Sequence, residues 1–191
     1  LRVGVIGMGP IGNLHASIYQ EAAQAELAGV CDINTERAEA AGRRFGVPWF
    51  PDAPTMLERV RPDICSITTG GYEYSSDHYE PAIQALEAGA HILCEKPICN
   101  DIAKAEEMVR VAKERERSFG LDFNHRFTPA AYTAKKWLDE GRLGTILFVN
   151  MALWIGKPQD PESPYFHIKA LNPHSIDIIR HFCGDITSCL L

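Results

Sequence analysis

The sequence predicts an α/β protein: a doubly wound parallel sheet over residues 1–123, then the start of a second, α+β domain over residues 124–191. Three observations carry that prediction. Short, nearly continuous apolar runs recur along the first two-thirds of the chain, as strands buried on both faces do. A segment of helical periodicity follows each run, and strand–helix–strand repeats with right-handed crossovers build a parallel sheet. Near residue 124 the alternation stops.

The predicted strands are Val3–Ile6, Leu27–Cys31, Ile64–Thr68, His91–Cys94 and Phe119–Phe123. The predicted helices cover about Pro10–Ala25, Thr35–Phe45, Ala53–Arg59, Asp77–Ala88 and Asp101–Arg117. Asn100 is the expected N-cap of the last, whose charged end, Lys113 to Arg117, reads as a solvated face. Beyond residue 124 a helix at Pro129–Glu140 stops at Gly141, and Arg142-Leu143-Gly144 makes a turn. A strand is expected from Thr145 to Ile155, a proline-containing loop from Gly156 to Pro164, and a helix at Pro173–Cys183 closed by Gly184. Two strands beside one long helix leave a thin sheet with little to cover it, so the chain is expected to be part of a longer protein.

Composition narrows the function classes. The chain has 191 residues, 46% hydrophobic and 23% charged, with a formal net charge of −6. That is globular composition, which excludes a disordered or fibrous chain. A negative balance with no block of Lys or Arg argues against a nucleic-acid partner. The longest apolar run, Thr145 to Ile155, is too short to span a membrane and is broken by Asn150. The opening residues carry no basic segment or cleavage site, so no secretion is expected. Of six cysteines, Cys31, Cys65 and Cys94 sit in or beside apolar runs, and no C-x-x-C occurs. A reduced, cytoplasmic chain without structural zinc is the expectation.

Gly7-Met8-Gly9-Pro10-Ile11-Gly12 fits G-x-G-x-x-G, a pattern with meaning only in context. The context is met: a strand precedes it, an amphipathic helix follows, and the next strand ends at Asp32, 20 residues after Gly12. Gly7 permits the tight turn, Gly9 lets the backbone approach a diphosphate, and Gly12 lets helix and strand pack closely. The helix start offers unpaired N–H groups and positive partial charge, and Pro10 suits its first turn. The whole turn, Ile11 included, is therefore the candidate diphosphate-binding element of a Rossmann fold. Asp32 is the expected acceptor for ribose hydroxyls. Its charge opposes a 2′-phosphate and favours NAD over NADP, while nearby Arg37 is placed to meet a phosphate if one is present.

His91–Cys94 delivers Glu95-Lys96-Pro97 at the carboxyl end of a strand, where ligands of open α/β sheets bind. Pro97 restricts Lys96 to extended backbone. A lysine there can stabilise a developing alkoxide or pass a proton, provided partial burial lowers its pKa. An exposed Glu–Lys pair at a turn is the plainer alternative.

These features occur in order with Asn124-His125-Arg126-Phe127-Thr128-Pro129 and Glu140-Gly141-Arg142-Leu143-Gly144. Together they resemble the Gfo/Idh/MocA family of glucose–fructose oxidoreductase and inositol dehydrogenase relatives, over essentially the whole chain. The resemblance implies a Rossmann domain followed by a domain built on a large, mainly antiparallel sheet, in members longer than this chain. It implies Lys96 as the catalytic lysine, with Glu95 beside it lining the nicotinamide side. Thr69, Gly70 and His78 fall where the family contacts its cofactor, and Asn124 and Arg126 where it approaches nicotinamide and substrate. His174 matches the catalytic histidine as acid/base, Asp177 a substrate contact, and Asn172 offers a hydrogen bond but no proton acceptor. One departure stands out: many family dehydrogenases have Asp four residues before that histidine, and here the residue is Ala170.

Read from residues alone, the Pro173–Cys183 helix places His174, Asp177 and His181 together on its polar margin. A solvated face, a metal site and the wall of a functional site all fit that arrangement. The resemblance assigns His174 and Asp177 to an active site and leaves His181 structural; His15 and His91 read as structural or surface residues. It implies hydride transfer between a nicotinamide and a secondary alcohol of a sugar, cyclitol or related polyol, in a protein that forms homo-oligomers at full length. The rival is a catalytically silent dinucleotide-binding regulator of the same fold, which Ala170 favours.

Overall fold

The structure is a computed structural model that describes residues 1–71, 77–153 and 167–190. The chain divides into two compact units, Leu1–Asp122 and Phe123–Leu191.

The first unit is a six-stranded sheet in the order β3-β2-β1-β4-β5-β6, with every neighbouring pair parallel. Its strands are β1 (Arg2–Ile6), β2 (Glu26–Cys31), β3 (Trp49–Phe50), β4 (Ile64–Ile67), β5 (His91–Cys94) and β6 (Phe119–Leu121). The helices between them are α1 (Pro10–Glu21), α2 (Thr35–Phe45), α3 (Ala53–Val60), α4 (Tyr79–Glu87) and α5 (Ile102–Glu114). Strand order reverses between β1 and β4, so the crevice beyond their carboxyl ends is the switch point where such sheets bind ligands.

Alternation along each strand feeds two cores. On one face Val5, Leu27 and Val30 pack with Ala16 of α1 and Ala41 and Phe45 of α2. On the other Ile6, Ala28 and Cys31 pack with Met56 and Val60 of α3, Leu86 of α4 and Met108 of α5. Leu27 and Val30 share a face although three apart. The register slips opposite Val3 and Gly4, which pair with Leu27 and Gly29, leaving Ala28 as an extra residue.

The helix ends explain where the sequence reading shifts. Asp101, not Asn100, caps α5, its carboxylate accepting from Lys104 N–H at 3.1 Å. A carboxylate there adds charge that complements the helix dipole. The expected helix to Ala25 stops at Glu21, and β3 was not expected at all. Two residues are too few to show a period. They nonetheless pair with Val30 and Cys31, and Pro48 O accepts from Val30 N–H at 3.1 Å.

The second unit holds a 3₁₀ turn at Asn124–Phe127, α6 (Pro129–Asp139), a π-helical turn at His167–Leu171 and α7 (Pro173–Cys183). Among its described residues there is no strand. The strand expected from Thr145 to Ile155 does not form over residues 145–153, because an extended segment needs a neighbour to take its backbone hydrogen bonds. The antiparallel sheet implied by the resemblance is thus not seen among the described residues, and the loop expected from Gly156 to Pro164 lies outside them. Among the described residues no helix is long and apolar enough to cross a membrane.

Candidate functional site

The glycine turn joins β1 to α1 at the switch point, and its three glycines answer to different constraints. Gly7 has φ +98°, and a Cβ there would sit 2.6 Å from Thr69 N. A Cβ on Gly12 would lie 1.9 Å from Gly7 O, so the first turn of α1 presses directly on the strand end. Gly9 is different. Its φ is −70°, which any residue adopts, and among the described residues no atom beyond its chain neighbours lies within 4 Å of where its Cβ would be. Neither backbone nor packing calls for glycine, and the missing side chain leaves the helix start open on this side.

That space adjoins a cleft of about 630 Å³ walled by Met8, Pro10, Asn13, Arg37 and Arg44. Pro10 is the first residue of α1, and no side chain caps the helix, as none caps α4 or α7, whereas Asn34, Asp52, Asp101 and Thr128 cap α2, α3, α5 and α6. Ile11, half-exposed, follows Pro10. Uncapped N–H groups beside two guanidinium groups suit a diphosphate.

Asp32, at the tip of β2, is buried and fully engaged. Its Oδ2 accepts from Met8 N–H at 2.8 Å and from Arg37 Nε at 3.2 Å. Its Oδ1 accepts from Asn34 N–H at 2.8 Å and from Arg37 Nη2 at 3.0 Å. A carboxylate has about four lone-pair sites, and all are used. Any further donor to this carboxylate would have to displace a present one, and Arg37 is the exposed member of the set.

Thr68, read from sequence only as the end of a strand, pins the turn from just beyond β4. Its buried hydroxyl lies 2.8 Å from Gly7 O and 3.1 Å from Ile6 O. Thr69 donates its hydroxyl to Asp77 O at 3.1 Å, and Gly70 follows, half-buried. His78, expected as a cofactor contact, is 1% exposed. Its Nδ1 lies 2.7 Å from Pro97 O and its Nε2 3.0 Å from Thr69 O. The ring braces the β4 and β5 ends against each other; any part it has in binding goes through those backbones.

Lys96, half-buried, follows β5, and the Lys96–Pro97 peptide is cis. Glu95, expected to line the nicotinamide side, turns its carboxylate inward. Oε2 accepts from Lys96 N–H at 3.2 Å, and Oε1 lies 3.2 Å from His15 Nε2. His15, read from sequence as structural or surface, also approaches Asp122 Oδ2 at 3.4 Å, while its Nδ1 lies 2.7 Å from Ser66 Oγ. Burial pulls the His15 pKa down, but hydrogen bonds and charge from Asp122 and Glu95 overcome it and raise the value to about 9. The ligand atoms of His15, Glu95 and Asp122 lie within 4.8 Å of one another. Nε2 lies at hydrogen-bond and ion-pair distance from both carboxylates, so the three groups form one polar cluster.

In the second unit Arg126 and Asp177, both expected to meet substrate, are bound to each other. The Arg126 guanidinium donates from Nε and Nη2 to the two carboxylate oxygens of buried Asp177. That hydrogen bonding raises the Arg126 pKa above its ordinary value. His174 stacks on His125, with centroids 4.2 Å apart and planes 16° from parallel, and Phe123 meets it edge-on at 6.1 Å. Asn124 is exposed at the start of the 3₁₀ turn. Asn172 precedes α7 without capping it by its side chain.

Comparison with known proteins agrees with this geometry. Residues 1–123 match the oxidoreductase family GFO_IDH_MocA, described by its NAD-binding Rossmann fold. D-glucoside 3-dehydrogenase of Escherichia coli is 34% identical over 148 residues, covering 76% of this chain and 41% of that protein. Levoglucosan dehydrogenase of Pseudarthrobacter phenanthrenivorans is 30% identical, covering 98% of this chain and 52% of that protein. A solved levoglucosan dehydrogenase in complex with NADH and levoglucosan superposes with a TM-score of 0.80 at 29% identity, over 97% of this chain and 54% of its own. The chain thus spans about half the length of the curated relatives it matches. With its family matched over more than half its residues and a six-stranded parallel sheet ending in a glycine turn, the chain belongs to the Gfo/Idh/MocA oxidoreductases.

Proposed function

We propose that this chain is the cofactor-binding part and the beginning of the substrate domain of an NAD-dependent oxidoreductase. Its reaction is hydride exchange between nicotinamide and a secondary alcohol of a sugar, cyclitol or related polyol. The observation that carries the reading is Gly9, a glycine that neither φ nor packing requires, beside an uncapped helix start and 23 residues before buried Asp32. The names of the relatives, dehydrogenases of glucosides and levoglucosan, support the substrate class.

In this reading the turn from Gly7 to Gly12 holds the diphosphate and Asp32 takes the ribose diol once Arg37 moves aside. When bound, nicotinamide supplies the hydride acceptor. The resemblance assigns His174 to take the hydroxyl proton and Lys96 to stabilise the negative charge growing on that oxygen. Asn124 serves the nicotinamide side, and Asn172 with the Arg126–Asp177 pair serves the substrate side. NADP is the less favoured cofactor because the Asp32 charge opposes its 2′-phosphate. Buried, unbridged Cys31 and Cys65, with pKa values pushed by burial to about 12, fit a reducing cytoplasm. A homo-oligomer at full length and no nucleic-acid partner complete the proposal.

The test uses the full-length protein with NAD and a polyol panel. General acid–base assistance is worth roughly 10²–10⁴ in rate. Lys96→Ala and His174→Ala should each lower turnover by that order while changing NAD affinity far less. Near-normal turnover in either contradicts the mechanism. Ala170, where the family resemblance leads one to expect Asp, favours the second reading, a silent dinucleotide-binding regulator. NAD binding with no turnover on any polyol is the result that reading predicts.

A further inference from the structure

Helix α1 carries more than the end of the glycine turn. His15, three residues past Gly12, sits 7% exposed on its inner side and reaches across the carboxyl ends of three strands. Its Nδ1 meets Ser66 Oγ of β4 at 2.7 Å, and its Nε2 meets Glu95 after β5 at 3.2 Å and Asp122 after β6 at 3.4 Å. Asp122 is fixed in turn by its N–H, which donates to Cys94 O at 2.8 Å. The second oxygen of Glu95 accepts from the Lys96 amide at 3.2 Å. Ring, carboxylate and amide form one unbroken path from α1 to the backbone that carries Lys96.

We infer that His15 is a positioning residue that, as an imidazolium, holds Glu95 and Asp122 together and through Glu95 fixes the backbone from which Lys96 projects. The helix that receives the diphosphate and the lysine assigned to the substrate oxygen are thereby set as one piece. The inference rests on the role proposed for Lys96, and it adds how that lysine is placed.

The physical case is the pair of carboxylates. Two such groups with oxygens within 4.8 Å repel unless a cation stands between them. A histidine that merely satisfied its own hydrogen bonds would need one acceptor at Nε2, and here there are two anions. The titratable groups facing the ring are Tyr19 of its own helix, edge-on at 6.4 Å, with Glu95 and Asp122; Ser66 is the neutral partner on β4. A neutral ring still donates once from Nε2 and accepts the Ser66 hydroxyl at Nδ1, but it brings no charge to the two carboxylates, and its hold on Glu95 weakens.

The test is an NMR titration of the wild-type chain from about pH 6 to about 10.5, following the His15 ring and the Lys96 amide in the same sample. The expected result is a shared step with a midpoint near 9. His15→Gln, which keeps a donor where Nε2 was but carries no charge, should lose that step at Lys96. Glu95→Gln should lower the His15 midpoint and silence the Lys96 response. A Lys96 amide unmoved through the His15 titration overturns the inference, as does a step that survives in His15→Gln. If His15→Gln does not fold, the wild-type comparison decides alone. NAD added to a parallel sample separates the two proposals: amides of Gly9, Ile11 and Gly12 that ignore NAD defeat the cofactor reading and leave the His15 coupling standing.

Discussion

Arg37 lies across Asp32, donating from two nitrogens to its two carboxylate oxygens, and so occupies the positions a ribose diol would use. The guanidinium is 55% exposed and the carboxylate 5%, so the arginine is the partner free to leave. An exposed ion pair is worth about 0.2–1 kcal/mol, little against the contacts of a dinucleotide. Arg37→Ala should therefore change NAD affinity by no more than about fivefold. It should weaken NADP by about tenfold or more, since a charged hydrogen bond to phosphate is lost. Asp32→Ala should reverse the preference. Tryptophan-fluorescence titration with both cofactors measures this.

Gly9 and Gly12 should fail in opposite ways. Gly12→Ala forces a methyl to 1.9 Å from Gly7 O, and the fold should lose about 2 kcal/mol or more in urea unfolding. Gly9→Ala meets, among the described residues, no atom beyond its chain neighbours within 4 Å, so stability should stay within about 0.5 kcal/mol. NAD affinity should still drop about tenfold or more, a loss of about 1.4 kcal/mol. Equal destabilisation by both would show that Gly9 serves the fold and not a ligand.

The Arg126–Asp177 fork sets the local order of the second unit. Asp177 is 6% exposed at its side chain and Arg126 35%, so full buried-pair values must be discounted for screening. Either alanine substitution should cost about 1–2 kcal/mol. The double variant should cost about 1 kcal/mol less than the sum of the singles. Arg126→Lys, which keeps charge but not the fork, should fall between wild type and Arg126→Ala. Urea unfolding read at Trp137 checks all three.

Stability should fall as pH rises through the His15 titration. The folded-state pKa of about 9 lies above the ordinary 6.5, so the contribution is complete below about 6.5 and lost as pH passes 9. His15→Gln should flatten that slope. Urea midpoints between about pH 6 and 9.5 provide the measurement.

The sheet was legible because its strands are buried on both faces, and continuous runs such as Val3–Ile6 and His91–Cys94 announce themselves. The edge strand at Trp49–Phe50 was not, being shorter than any period. Of the candidate site, the glycine turn and Asp32 could be read because their chemistry is local and their spacing fixed. The cluster around His15 could not, since its partners lie 51 and 80 residues away at strand ends that only the folded sheet brings together. The Arg126–Asp177 pair was missed for the same reason: each residue was assigned a ligand, and 51 residues separate them. His78 was placed near the cofactor by resemblance, yet its ring bonds to Thr69 and Pro97, a role no one-dimensional pattern marks.

A crystal structure of the full-length protein soaked with NAD is the most direct measurement. The account predicts diphosphate oxygens on the N–H groups at the start of α1, a ribose diol on Asp32 with Arg37 swung aside, and the nicotinamide ring within reach of Lys96 Nζ. A saturated crystal whose crevice beside Gly9 held no nucleotide, or held one with its nicotinamide turned away from Lys96, would contradict it.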